Sequence, residues 1–221
     1  MTSRFGISAA LAIAIVAPFA GVGASHLVPD PAFPIFAAGQ APATNGEQPV
    51  GPAAARASAV MASARKALGG DTLIAVTTLV ASGQTRQVQG DNLVPVEFEI
   101  SCELPSRCVR RDEIPARENG PTTAGFNGEM LILTPPPAMP LPEPARQARL
   151  LATKQDFARL FLGLFASSFD AYPLTFAYVG QAEAPQGRAD VVDAKGAGNF
   201  TVRLFVNADT HVPIMVSWQV A

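Results

Sequence analysis

Alternating apolar and polar residues dominate the chain from Val76 onward, the pattern of strands that bury one face. Seven stretches of this kind are Thr77–Gln84, Val94–Leu104, Cys108–Glu113, Leu174–Gln181, Arg188–Ala194, Phe200–Asn207 and Val212–Val220. Short segments rich in Gly, Asn and Asp separate most of them. Links of this length join antiparallel neighbours, because a parallel crossover needs a dozen residues or more.

An eighth and a ninth strand are expected within residues 124–133, AGFNGEMLIL. Asn127-Gly128 stands between two apolar runs, and this dipeptide favours a two-residue type I′ hairpin turn, in which both central residues need a positive φ. The proline-rich segment Pro135–Pro144 that follows cannot continue a central strand, because proline donates no hydrogen bond. We expect an extended, semi-rigid lid or connector there.

Two helices interrupt the strand pattern. An alanine-rich stretch predicts the first over about residues 53–68, ended by Gly69-Gly70, and Asp71 is suited to cap a short helical turn after it. The second is expected over about residues 145–169, where apolar residues recur at helical spacing. Together these elements predict an α+β domain: one strongly curved antiparallel sheet of about nine strands, a half-open barrel wrapped around two helices.

The N-terminal region has the layout of a secretory signal peptide. Arg4 precedes an uncharged apolar run that ends in small residues, which predicts a signal segment over residues 1–24. Retention of this segment as an inner-membrane anchor facing the periplasm is the alternative. A Pro/Ala/Gly-rich spacer is expected over residues 25–52, followed by one domain over residues 53–221.

The two cysteines fit an exported protein. If the strands around Pro105 form a hairpin centred on that residue, Cys102 lies directly opposite Cys108, within disulfide range. An oxidising compartment favours the bond. A register slip would instead leave two free thiols on opposite faces.

Charge and motifs argue against several functions. The net charge of −2 gives no clustered basic surface for nucleic acid. No catalytic motif, metal site or cofactor site is predicted: His26 lies in the spacer and His211 in a turn. Asp112 and Glu113 are neighbours on one strand and point to opposite faces, so we interpret them as a solvated edge and expect no enzyme activity.

An aromatic and aliphatic cluster is the candidate ligand-binding site. The chain holds 13 phenylalanines but one tryptophan and two tyrosines, and several phenylalanines fall on the second helix. Such a stripe either packs as core or also lines an apolar pocket, and the sequence leaves both open. The candidate residues are Phe126, Phe157, Leu160, Phe161, Leu164, Phe165, Phe169 and Phe176.

The order of these signals resembles a known family. The segments that carry the likeness are ALGG at 67–70, ASG at 81–83, ELPSRCVRRDE at 103–113, FNG at 126–128, GRADVVDAKG at 187–196 and TVRLFVNADTHVPIMVSW at 201–218. They are similar to the periplasmic lipoprotein-carrier (LolA/LolB-like) superfamily, in particular to its uncharacterised outer-membrane lipoprotein-sorting branch. The family's carrier has an arginine before a strand-turn proline, whereas Leu104 precedes Pro105 here.

The resemblance implies a periplasmic, non-enzymatic binder or carrier of a lipid or acylated protein, with apolar chains held between sheet and helices. An envelope protein-interaction or stress-sensing module of the same fold, without bound lipid, is the alternative. The sequence indicates neither the identity of the partner nor an oligomeric state.

Overall fold

The computed structural model describes residues 51–89, 91–115, 120–184 and 187–219. The predictions for residues 1–24 and most of the spacer lie outside this part of the chain. Within it the fold is α+β, with two helices and nine strands, as predicted. The elements are α1 (Pro52–Ala67), β1 (Thr78–Gln89), β2 (Asn92–Glu103), β3 (Arg107–Glu113), β4 (Thr122–Asn127), β5 (Met130–Thr134), α2 (Glu143–Phe165), β6 (Thr175–Ala184), β7 (Gly187–Gly196), β8 (Phe200–Asn207) and β9 (Pro213–Ser217).

The strands form two antiparallel sheets, where the sequence predicts a single one. The first has the order β1-β2-β3-β4-β5 and the second β6-β7-β8-β9. The first sheet ends at β5 because the prolines at 135–137 donate no hydrogen bonds to a further strand. The chain then enters α2, which leads away from this sheet. β6 therefore begins a new sheet.

The two helices occupy the space beside both sheets. α1 buries Ala57, Val60, Met61 and Ala64, which lie on one face at helical spacing, and it packs against β6. α2 packs against β4 and β5 of the first sheet and against β8 and β9 of the second. The hydrophobic core thus includes residues from both helices and both sheets.

The C-terminus of α2 differs from the prediction. The helix ends at Phe165, four residues before the expected Phe169, because Ala166 adopts a left-handed conformation with φ 47°. The N–H of Ala166 donates to Leu162, and its carbonyl accepts a hydrogen bond from Arg65 of α1 at 3.2 Å. The chain turns there, and Phe169 packs back into the core.

The β4–β5 hairpin is present, but its turn is shifted by one residue. Asn127 pairs with Met130, so the two central residues are Gly128 and Glu129 instead of Asn127 and Gly128. Only Gly128 has a positive φ, of 59°. A glycine at the first central position is typical of a type II′ turn, so the predicted type I′ turn is wrong.

The hairpin around Pro105 confirms the predicted register. Cys102 pairs with Cys108, and the two form a disulfide whose residues are almost completely buried. Cys108 in turn pairs with Phe126 of β4. The covalent bond therefore lies on the core-facing side of the first sheet, next to the aromatic cluster.

In the described part of the chain, neither helix combines the length and the apolar character needed to cross a bilayer.

Candidate functional site

The aromatic cluster predicted from the sequence is assembled around Phe126. Phe126, Phe157, Phe161 and Phe169 are each at most 5% exposed. The Phe126 ring lies 5.6 Å from the ring of Phe157 and 6.0 Å from that of Phe169. Phe161 lies 4.8 Å from Phe169. These are the centroid distances of aromatic pairs in direct contact, so this part of the interior is filled by side chains.

The other candidates lie at the border of that cluster. Leu160, Leu164, Phe165 and Phe176 are half-buried. The Phe165 ring lies 5.2 Å from that of Phe161, and Leu160, Phe165 and Phe176 pack against the core. The structure thus separates a closed aromatic centre from a partly accessible margin.

The inner face of the first sheet extends beyond the aromatic cluster. Directly opposed residues of antiparallel strands share a face, and the buried Cys102, Cys108 and Phe126 identify the inner one. One step along the strands on this face, Ile100 pairs with Arg110. The inner face therefore changes from apolar and covered to polar and more open.

An open cleft of about 410 Å³ lies at this polar end. Its volume is within the range of about 300–1,000 Å³ found for small-molecule sites. Strands β1 to β4 and the segments after β3 and before β4 contribute to its walls. The lining residues are Thr85, Arg86, Gln87, Val96, Arg110, Asp112, Ile114, Gly120 and Thr122.

Arg110 is held in the cleft by two neighbours. Its Nε donates to Oδ1 of Asp112 at 2.8 Å, and its guanidinium lies 5.1 Å from the centroid of the Phe98 ring. That ring extends across the neighbouring strand at Gly83, where an added Cβ would be 3.0 Å from it. Gly83 therefore leaves room for Phe98, and the ring and Asp112 together orient the arginine.

Asp156 of α2 lies near the same polar end. Burial raises the pKa of Asp156, and the positive charges of Arg159, Arg110 and Arg149 oppose this shift. Its side chain nevertheless keeps 76% of its accessible surface, as expected in the mouth of a concavity and not in the core. Nη1 of Arg159 donates to this carboxylate at 2.6 Å.

A buried lysine closes the other side of the aromatic cluster. Lys154 is 7% exposed, its Nζ donates to Glu129 at 2.7 Å, and it lies 5.8 Å from the centroid of the Phe126 ring. Helical spacing alone does not predict this burial. The sequence feature that could have indicated it is Glu129 in the β4–β5 turn, an acidic residue that the observed turn places next to Lys154.

The structure modifies the interpretation of the charged residues on β3. Asp112 and Glu113 point to opposite faces as predicted, and each pairs with an arginine two residues earlier, Arg110 and Arg111 respectively. Arg110 and Asp112 line the cleft, however, so Asp112 is not part of the solvated edge expected for it. Counting residues alternately from the buried Cys108 would have placed both on the inner face.

His211 occupies the exposed turn predicted for it, with a positive φ of 60°. The side-chain oxygen of Asn207 accepts hydrogen bonds from the N–H groups of Asp209 and Thr210, which shapes this turn. His211 therefore lies in a turn ordered by its neighbours and outside the aromatic cluster.

No protein-family model, curated protein or solved structure matches this chain. The resemblance to the lipoprotein-carrier superfamily stays a prediction, and the function is inferred from the geometry of the site.

Proposed function

We propose that the protein is a non-enzymatic binder or carrier of a lipid or lipid-modified protein in the bacterial periplasm. The observation that carries the proposal is the inner face of the first sheet, which runs from a closed aromatic centre to an open cleft of about 410 Å³. An amphipathic ligand matches such a gradient, because its chain and its head group need different surroundings.

The apolar chain would lie along the inner face of the first sheet. Leu79, Ala81, Phe98 and Leu131 are partly buried hydrophobic residues that pack against the core. Burial of each methylene contributes about 0.8 kcal/mol, so a chain of moderate length gives useful affinity. In this proposal the two sheets act as walls of a half-open barrel around the helices.

The disulfide supports the proposed compartment. Cys102–Cys108 lies in the wall beside the cleft, and disulfides persist in oxidising compartments such as the periplasm. The predicted signal segment agrees with this localisation, with inner-membrane attachment as the alternative if that segment is retained.

A protein-interaction module without bound lipid is the second candidate. The observation that favours it is the closed centre of the aromatic cluster, where the rings of Phe126, Phe157 and Phe169 already contact one another. In that case the cluster is core alone, and binding involves the outer surface.

The two candidates differ in what the secreted chain retains on purification. We expect native mass spectrometry of the protein purified from the periplasm to show an acyl species that is released on denaturation. Ile114→Asp, in the cleft wall, should reduce uptake of a fluorescent undecanoate probe, whereas Val80→Asp should not, because Val80 is 71% exposed and lies outside the cleft. A bare mass together with no probe uptake would favour the interaction module.

A further inference from the structure

Arg110 is the cationic side chain on the inner face among the residues that line the cleft. Arg86 also borders the cleft, but it pairs with Pro95, on the face of the sheet opposite to that of Arg110. Arg110 forms an ion pair with Asp112, and the next carboxylate, that of Asp156, already accepts a hydrogen bond from another arginine. An anion that enters the cleft would therefore meet the Arg110 guanidinium as its positively charged partner.

The Arg110 guanidinium is held in place by its neighbours, but part of its hydrogen-bonding capacity is left for a ligand. Its Nε is bonded to Asp112, and its plane is held near Phe98. Among the described residues, no acceptor bonds Nη1 or Nη2 of Arg110. The side chain keeps 37% of its accessible surface, so these two nitrogens form an accessible fork. Such a fork matches the two oxygens of a carboxylate or phosphate.

Apolar side chains flank this fork. Val96 and Ile114 line the same cleft, and Phe98 lies under the guanidinium. A free inorganic anion would gain nothing from these neighbours, whereas an acyl chain attached to the anion would. We propose that the cleft binds the anionic head group, carboxylate or phosphate monoester, of a single-chain amphiphile, with Arg110 as its main hydrogen-bond donor. This inference rests on the proposed lipid-binding function.

The experiment compares head groups on one chain length. Isothermal titration calorimetry of the full secreted protein would use dodecanoate, dodecyl phosphate and tetraethylene glycol monododecyl ether, each below its micelle concentration, and inorganic phosphate alone. We expect the two anionic probes to bind at least about ten-fold more tightly than the ether, since hydrogen bonds to charged groups are among the strong ones. Inorganic phosphate should bind far more weakly than dodecyl phosphate.

Strand β3 supplies a matched control. Arg111 is the next residue, forms the same kind of ion pair with Glu113 at 2.9 Å, and points to the opposite face. We expect Arg110→Gln to remove the preference for the anionic probes while binding of the ether is retained, and Arg111→Gln to leave both unchanged. Arg110→Lys keeps the charge but not the fork, and should retain part of the preference. Urea unfolding curves identify any variant that is misfolded.

Each contrary result points to a different error. Equal affinity for all three dodecyl probes, with no effect of Arg110→Gln, overturns the head-group inference but leaves lipid binding intact. Loss of ether binding in Arg110→Gln shows a structural role and also overturns it. If inorganic phosphate binds as tightly as dodecyl phosphate, the site takes a free anion. If no dodecyl probe binds the unaltered protein, the proposed function itself fails.

Discussion

Substitution of Phe126 by alanine tests whether the aromatic cluster is packed core. Phe126 is fully buried, and its ring contacts those of Phe157 and Phe169 as well as the ammonium of Lys154. Removal of a buried phenylalanine side chain costs about 3–5 kcal/mol when the cavity cannot collapse. The ring lies between a disulfide-linked strand and α2, which limits collapse. We therefore expect the free energy of unfolding to fall by about 4 kcal/mol.

The assay is urea denaturation followed by circular dichroism, with Phe165→Ala as the control. Phe165 is half-buried and, among the described residues, has one ring contact, with Phe161, so its truncation should lower the free energy of unfolding by about 1–2 kcal/mol. A double-mutant cycle between Phe126 and Phe157 should give a coupling of about 1 kcal/mol. A loss below about 1.5 kcal/mol for Phe126→Ala would refute tight packing and would indicate that the ring lines open space.

Three further outcomes follow from other contacts. Gly125→Ala should lower the free energy of unfolding in urea by about 3 kcal/mol, because the new Cβ would clash with the carbonyl oxygen of Cys108 on the neighbouring strand. An unchanged urea midpoint would contradict the close packing of β3 against Gly125. Hydrogen bonds from Arg146 and Gln147 lower the pKa of Glu143 from 4.5 to about 2. The stability that this exposed contact contributes is therefore complete above pH 4.5 and is lost as the pH falls through about 2. Carboxyl carbon NMR should show that low pKa, and Arg146→Ala should return it towards 4.5. Joint replacement of Cys102 and Cys108 by alanine should lower the stability by about 2 kcal/mol, because the unfolded chain is no longer restricted by the closed loop. Thermal melting measures the effect, and an unchanged melting temperature would contradict it.

The local fold was largely predictable from the sequence, since periodicity reports directly on burial. The strand Phe200–Asn207 is found at its expected bounds, and the cysteine register follows from the symmetry of the hairpin around Pro105. The division into two sheets was not predictable in the same way. Alternation shows which face of a strand is buried, but it carries no information about which strands pair across a long connection.

The site was predictable only in part. Helical spacing identified Phe157 and Phe161, which are buried together, but it could not show that their neighbours leave this centre filled. The cleft depends on Arg110, which was not among the residues predicted for the site. Its role depends on the strand face shared with Cys108 and on the proximity of Phe98, both set by tertiary pairing.

The separation of the two sheets has a mechanical consequence. In the described part of the chain, backbone ladders hold each sheet together internally, while α2 and side-chain contacts connect one sheet to the other. A shift of one sheet relative to the other therefore breaks no ladder hydrogen bond and requires only that side chains slide past one another. If the proposed ligand binds between the sheets, this arrangement would let the interior widen for a thicker chain while each sheet keeps its own hydrogen-bond ladder.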